Sequence, residues 1–269
     1  MKNLKRITIW VTTILAAIYL IVCCWFYFSQ EKLLFNIVKL DSNHVFEFSD
    51  SFEEHEIIMR DSIKLHGVLF KAKESKGLIL WLPGGRGMID SIGLNSHFYT
   101  DLNYDLFLLN YRGFGKSEGI ISSENQFNQD MQSVYDYFKD TYGENKIIIF
   151  GYSLGTGPAS ALSANNNPKL LILKAPYFNM FELSEKVFPY IPVSLLQKYK
   201  FPIAENLQKT NCKVVIFHGD SDKKIPIDVS YRLKASLKPS DTLFVLKGQG
   251  HNDFIKNPEY LQKLSNIID

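Results

Sequence analysis

Five residues with the pattern of a buried strand, Lys146-Ile147-Ile148-Ile149-Phe150, run directly into Gly151-Tyr152-Ser153-Leu154-Gly155. The bare Gly-x-Ser-x-Gly pattern is a weak signal, but between a strand and a helix it carries a geometric meaning. Small neighbours let the backbone turn sharply where strand and helix pack closely, and the serine hydroxyl then stands exposed over the helix N-terminus. Leu154 onward suits that helix. The local pattern therefore demands a strand inside a sheet with both faces covered, and a helix folding straight back onto it.

The rest of the chain repeats that rhythm. His55–Arg60 and Ile63–Phe70 flank Asp61-Ser62 and read as an antiparallel hairpin. Short apolar runs follow at Gly77–Leu82, Asp105–Asn110, Lys146–Phe150, Leu170–Leu173, Val214–Phe217 and Thr242–Leu246. Helical patterns lie between them at Ser123–Tyr142, Ser153–Asn165, Pro226–Ser236 and Pro258–Ile268. Such alternation predicts an α/β domain on a mainly parallel, doubly wound sheet. The stretch 176–208 breaks the rhythm, with prolines at 189, 192 and 202 and no strand signal, and is expected to form a small helical cap. At 269 residues with 22% charged and 46% hydrophobic composition, the chain can bury one full core.

A serine hydroxyl is a poor nucleophile until a base takes its proton, so a histidine must lie within reach of Ser153. With an elbow of this kind the partners follow in the order serine, acid, histidine. Of the six histidines only His218 and His251 come after Ser153. His218 ends an apolar run and precedes the acidic loop. His251 lies past the last strand, in Gly248-Gln249-Gly250-His251-Asn252-Asp253, and is the expected base. Asp220 and Asp222 both qualify as the acid by position; the spacing His218-Gly219-x-x-Asp222-x-x-Ile225-Pro226 favours Asp222 and leaves Asp220 to brace the turn. A developing oxyanion needs two backbone N–H donors. Leu154 is one expected donor, and Gly85 in Pro83-Gly84-Gly85-Arg86-Gly87 is the other, with Arg86 as the alternative.

These motifs together resemble a known family. Asn110-Tyr111-Arg112-Gly113-Phe114-Gly115-Lys116-Ser117-Glu118-Gly119, the Gly-Tyr-Ser-Leu-Gly elbow, the acid loop and the Gly-His-Asn base loop are similar to those of α/β-hydrolases related to the Bem46 protein and the ABHD13 and ABHD17 groups. Ser29-Gln30-Glu31-Lys32-Leu33-Leu34-Phe35 also resembles their juxtamembrane stretch. The resemblance implies an α/β-hydrolase fold and a triad of Ser153, Asp222 and His251. One departure stands out: Pro83-Gly84-Gly85-Arg86 replaces the frequent His-Gly-Asn-Ala of the oxyanion loop. Tyr111 and Arg112 read as structural supports of the site. The activity implied is a serine hydrolase acting on carboxylic-ester or thioester bonds without cofactor or metal. A peptidase or amidase using the same residues is the alternative, and a non-catalytic binding protein a third reading.

Ile7–Phe28 is free of charge over 22 residues, long enough as a helix to cross the roughly 30 Å hydrocarbon core. Lys2, Lys5 and Arg6 precede it, and Trp10, Trp25 and Tyr27 sit near its ends. Residues 1–6, 7–28, 29–52 and 53–269 thus divide into a basic segment, a single-pass anchor, a juxtamembrane segment and the catalytic domain. The basic residues predict a cytoplasmic N-terminus and an extracytoplasmic domain. The competing reading, a cleaved signal peptide, lacks the small residues of a cleavage site. No Asn-x-Ser/Thr sequon occurs, which fits a bacterial inner-membrane protein facing the periplasm. Net charge is +2 without a long basic run, so nothing points to nucleic acid. The anchor and the apolar cap residues Val187, Phe188, Tyr190, Ile191, Val193, Leu195 and Leu196 together suggest a lipid-like or small acyl ester as substrate.

Overall fold

The computed structural model describes residues 1–87 and 89–268. Its strands are β1 (Phe52–Ile58), β2 (Lys64–Phe70), β3 (Leu78–Leu82), β4 (Asp105–Leu109), β5 (Ile147–Tyr152), β6 (Leu170–Lys174), β7 (Lys213–Gly219) and β8 (Thr242–Leu246). They form one sheet in the order β1-β2-β4-β3-β5-β6-β7-β8. The β1/β2 and β2/β4 pairings are antiparallel, and every pairing from β4/β3 to β7/β8 is parallel. The helices are α1 (Lys2–Leu34), α2 (Ile89–Gly93), α3 (His97–Thr100), α4 (Glu124–Tyr142), α5 (Thr156–Ala164), α6 (Met180–Val187), α7 (Val193–Leu196), α8 (Ile203–Lys209), α9 (Asp228–Leu233) and α10 (Pro258–Ile268).

The strands are apolar at successive residues because both faces of the sheet are covered. Leu78, Leu80, Leu82, Ile147, Ile149, Leu171 and Leu173 join one core with the inner faces of α4 and α5. Ile79, Trp81, Ile148, Phe150 and Ile172 point the other way, into a second core with α10. α4 shows how the local sequence sets an element. Ser123 caps it by accepting from the Gln126 N–H at 3.1 Å, and Phe127, Met131, Val134 and Phe138 form a buried stripe at helical spacing.

Two features lie outside what periodicity alone suggests. The helix containing the charge-free span continues to Leu34, and Phe35 directly after it is buried among Phe114, Phe127 and Tyr199. The membrane-length helix therefore enters the domain through a core residue. Within 176–208, α8 buries Ile203 and Leu207 and lies on α5, where Asn206 Nδ2 donates to Ser160 Oγ at 3.0 Å. Met180 and Leu183 of α6 face the cavity at the C-terminal ends of the strands, and α7 packs against α6 and α1.

Candidate active site

β5 ends at Tyr152 and turns through a short 3-10 segment, Ser153–Gly155, into α5. Ser153 takes a positive φ of 50°, a left-handed conformation that is costly for a serine and is held here by its surroundings. Gly155 explains much of that tightness. A Cβ on it would lie 2.2 Å from the Leu82 carbonyl oxygen and 2.6 Å from that of Pro83. The elbow thus presses directly on the end of β3 and the loop that follows.

The parallel strands bring three distant residues together at their C-terminal ends. Ser153 Oγ lies 2.9 Å from His251 Nε2, and His251 Nδ1 lies 2.7 Å from Asp222 Oδ2. A carboxylate only accepts, so Nδ1 carries the proton and Nε2 presents its lone pair to the serine hydroxyl. Asp222 Oδ1 accepts from the N–H groups of Lys224 and Ile225 at 2.8 and 2.9 Å. Burial alone would raise the Asp222 carboxyl. Hydrogen bonds from His218, His251 and Ile225 prevail and hold it well below the usual carboxylate range.

The other candidates fall in different places. His218 is fully buried, with Nε2 donating to the Ile225 carbonyl at 2.8 Å and Nδ1 beside Ser230 Oγ at 2.6 Å. It supports the acid loop and does not approach Ser153 as His251 does. Asp220 accepts from the Gly248 N–H at 2.7 Å and ties the acid loop to the base loop. Gly84 and Gly85 both line the cavity beside Ser153, as do Arg86 and Leu154. The position of the glycine loop is fixed from two sides. Tyr111 Oη donates to the Pro83 carbonyl at 2.8 Å, and the Asn36 N–H donates to the Gly85 carbonyl at 2.7 Å. Arg112 steadies the segment carrying Tyr111 through paired bonds to Asp61 at 2.7 and 2.9 Å and paired bonds to Asp130 at 2.5 and 2.8 Å.

Several site residues have no signature in the sequence. Tyr152 Oη lies 3.0 Å from the His251 carbonyl and 2.9 Å from Asn252 Oδ1, so the residue before Ser153 also supports the loop that carries His251. Gln249 Nε2 donates to the Asn252 carbonyl at 2.6 Å, and Asn257 Nδ2 donates back to Gln249 Oε1 at 3.0 Å. Lys174, at the end of β6, has its ammonium nitrogen 4.6 Å from the Trp81 ring centre, 4.5 Å from Tyr152 and 5.2 Å from Phe254. Burial pushes this lysine down to about 7. Its strand pattern reads as an ordinary apolar run with a terminal charge; only the packed rings reveal the environment.

The cavity over Ser153 holds about 1000 Å³ and is bounded by Leu33 and Leu34 of α1, Met180 and Leu183 of α6, Tyr177 and the base loop. Among the described residues, no group of three or more His, Cys, Asp and Glu side chains is arranged to hold a metal ion.

Comparison with known proteins agrees with this fold. Residues 77–210 match the family described as alpha/beta hydrolase fold. The Schizosaccharomyces pombe protein bem46 is 29% identical over 192 residues, covering 67% of this chain and 64% of that protein. Lysophosphatidylserine lipase ABHD12 of Macaca fascicularis is 28% identical over 217 residues, covering 70% of this chain and 53% of the lipase. The matches thus span between about half and two thirds of these relatives' own lengths. Among solved structures, an esterase of Pyrococcus furiosus superposes with a TM-score of 0.71 at 16% identity, over 87% of this chain and 96% of the esterase. At that identity the likeness concerns the fold.

Proposed function

We propose that this chain, whose residues 77–210 match the alpha/beta hydrolase fold family, is a serine hydrolase that cleaves carboxylic-ester or thioester bonds through an acyl-enzyme on Ser153. The observation that carries the reading is the chain of contacts from Ser153 Oγ to His251 at 2.9 Å and on to Asp222 at 2.7 Å, at the floor of an open cavity. His251 Nε2 takes the hydroxyl proton as Oγ attacks the acyl carbonyl, and returns it to the leaving alcohol or thiol. Asp222 keeps Nδ1 protonated and stabilises the imidazolium that forms. The N–H groups of Leu154 and Gly85 receive the oxyanion, and water then releases the acid by the same steps.

The substrate in this reading is an acyl or lipid-like ester. Two observations favour it: a relative bears the name lysophosphatidylserine lipase, and Leu33, Leu34, Met180 and Leu183 give the cavity an apolar wall. α1 serves as a single-pass anchor. It is the one helix among the described residues long and apolar enough to cross a membrane. Lys2, Lys5 and Arg6 ahead of the span favour a cytoplasmic N-terminus with residues 53–269 on the opposite side. Protease protection of sealed vesicles tests that orientation.

The catalytic reading is tested on detergent-solubilised protein, wild type and Ser153→Ala, with a fluorophosphonate probe and p-nitrophenyl esters from acetate to palmitate. Labelling and turnover lost together in the variant support it. A folded wild-type protein that neither labels nor turns over any ester overturns it, and the chain-length profile separates small esters from lipids.

A further inference from the structure

Tyr19, Cys23, Phe26 and Gln30 fall on one stripe of α1, at intervals of four, three and four residues. The cap climbs this stripe in steps. At the base, Gln30 Nε2 donates to the Leu196 carbonyl and Gln30 Oε1 accepts from the Lys198 N–H, both at 2.8 Å. Beside them Glu31 receives Lys198 Nζ at 2.7 Å and Tyr199 Oη at 2.9 Å. One turn back along α1, the Phe26 and Phe188 rings meet edge to face at 5.1 Å. Farther still, Tyr19 Oη donates to the Tyr190 carbonyl at 3.1 Å. The cap tip therefore lies beside the middle of the charge-free span and well away from its domain end.

The composition of the tip matches that position. From Val187 to Gln197 there is no charged residue, and Lys186 and Lys198 flank the segment. Val187, Tyr190 and Leu195 are 62%, 87% and 83% exposed. Three such side chains exposed to water in so short a segment would be an unfavourable surface, whereas flanking lysines and a tyrosine are what a membrane interface accommodates. Tyr19 precedes Phe28 by nine residues, about 13 Å along a helix. Allowing for the reach of the tyrosine side chain, the tip lies on the order of 10 Å inside the hydrocarbon boundary, the depth reached by interfacial apolar segments.

We propose that the cap segment Val187–Leu196 inserts into the same bilayer leaflet that α1 leaves, so that the cavity mouth opens at the membrane surface. The occupant of the exposed cap face is lipid hydrocarbon. Leu33 and Leu34, five and six residues beyond Phe28, line both the end of α1 and the cavity. An acyl chain can then move from the leaflet along the cap to Ser153 with little exposure to water. The inference rests on α1 spanning the bilayer, and on no particular chemistry at Ser153.

The test uses the full chain in lipid nanodiscs. With Trp10→Phe and Trp25→Phe, the remaining native tryptophan is Trp81 in the core, and Tyr190→Trp adds one at the tip. Phospholipids brominated in mid-chain should quench the added emission and leave that of Trp81 largely intact. Emission from position 190 that no brominated lipid quenches overturns the proposal. A photo-crosslinking residue at Leu195 in the otherwise unaltered chain gives an independent readout: adducts with phospholipid acyl chains support insertion, and their absence on illumination counts against it. Quenching of Trp25 in a chain carrying only Trp10→Phe reports the anchor separately, so failure of the span and failure of cap insertion are distinguished.

Discussion

Asp222 receives His251 at 2.7 Å, the Lys224 N–H at 2.8 Å and the Ile225 N–H at 2.9 Å, leaving little room for a proton on the carboxyl. Asp222→Asn keeps the shape but offers His251 the wrong partner, favouring the tautomer that cannot accept from Ser153. On the proposed mechanism kcat should fall by about 10³–10⁴ with the fold retained, measured by ester hydrolysis alongside circular dichroism. The sign of the acid dependence follows from the same contacts. A carboxyl held low in the folded state contributes stability above its ordinary pKa of about 4 and loses it as pH falls toward the folded value. Lys174 has the opposite character. Burial lowers it from 10.5 to about 7, so the unfolded chain binds the extra proton between those values and stability rises with pH across that window. Below pH 7 the folded chain carries this lysine charged against its burial, at a cost of a few kcal/mol. Lys174→Met should therefore stabilise the domain by on the order of 2 kcal/mol at pH 6, with the gain shrinking toward pH 10 in unfolding experiments. Equal gains at both pH values would refute this account.

At the scale of elements, the elbow depends on how closely α5 approaches β3. Gly155→Ala would place a methyl group 2.2 Å from the Leu82 carbonyl, a backbone atom that cannot turn aside. The expected cost is about 1–3 kcal/mol with a displaced Ser153, read as a lower unfolding midpoint and weaker probe labelling. Gly250 provides the control. Nothing lies within 4 Å of a Cβ there, and Gly250→Ala should stay within about 0.5 kcal/mol of wild type. Arg112 acts across elements, joining the loop after β4 to Asp61 of the β1–β2 turn and to Asp130 of α4. Arg112→Met leaves Asp130 buried without its partner, a loss of about 3–5 kcal/mol. Lysine at this position could not restore the paired geometry.

On the scale of the whole molecule, α1 and the domain are one construction. Phe35 is packed among Phe114, Phe127 and Tyr199, and Asn36 holds the carbonyl of Gly85 in the loop beside Ser153. Phe35→Ala should cost about 3–5 kcal/mol and also loosen the glycine loop, lowering kcat beyond what the loss of stability explains. Unchanged turnover at a temperature where the variant is fully folded would show that the loop is held by other contacts.

Much of the architecture was legible because it follows from short-range rules. Strands covered on both faces must be apolar at successive residues, so β3 to β7 stand out as Ile-, Leu- and Val-rich runs. Helices with one buried side show a repeat near 3.6, and α4 even announces its start with Ser123. The elbow motif implied the order in which partners of Ser153 follow, and that order reduced six histidines to two. Between Asp220 and Asp222 the sequence offered spacing as a guide; the side-chain directions at the end of β7 sent one to Gly248 and the other to His251. What local pattern cannot carry is proximity between residues far apart in the chain. Lys174 acquires its environment from rings on β3, β5 and the segment before α10, and Tyr152 meets the base loop a hundred residues later. The cap likewise read as an apolar stretch whose neighbour was unknown. Local sequence pattern determined that a membrane-length apolar helix, a covered parallel sheet and a strand-to-helix serine would exist; only three-dimensional packing, which sums many weak contacts across the chain, decided that the cap lies along that helix and which charged groups surround the serine.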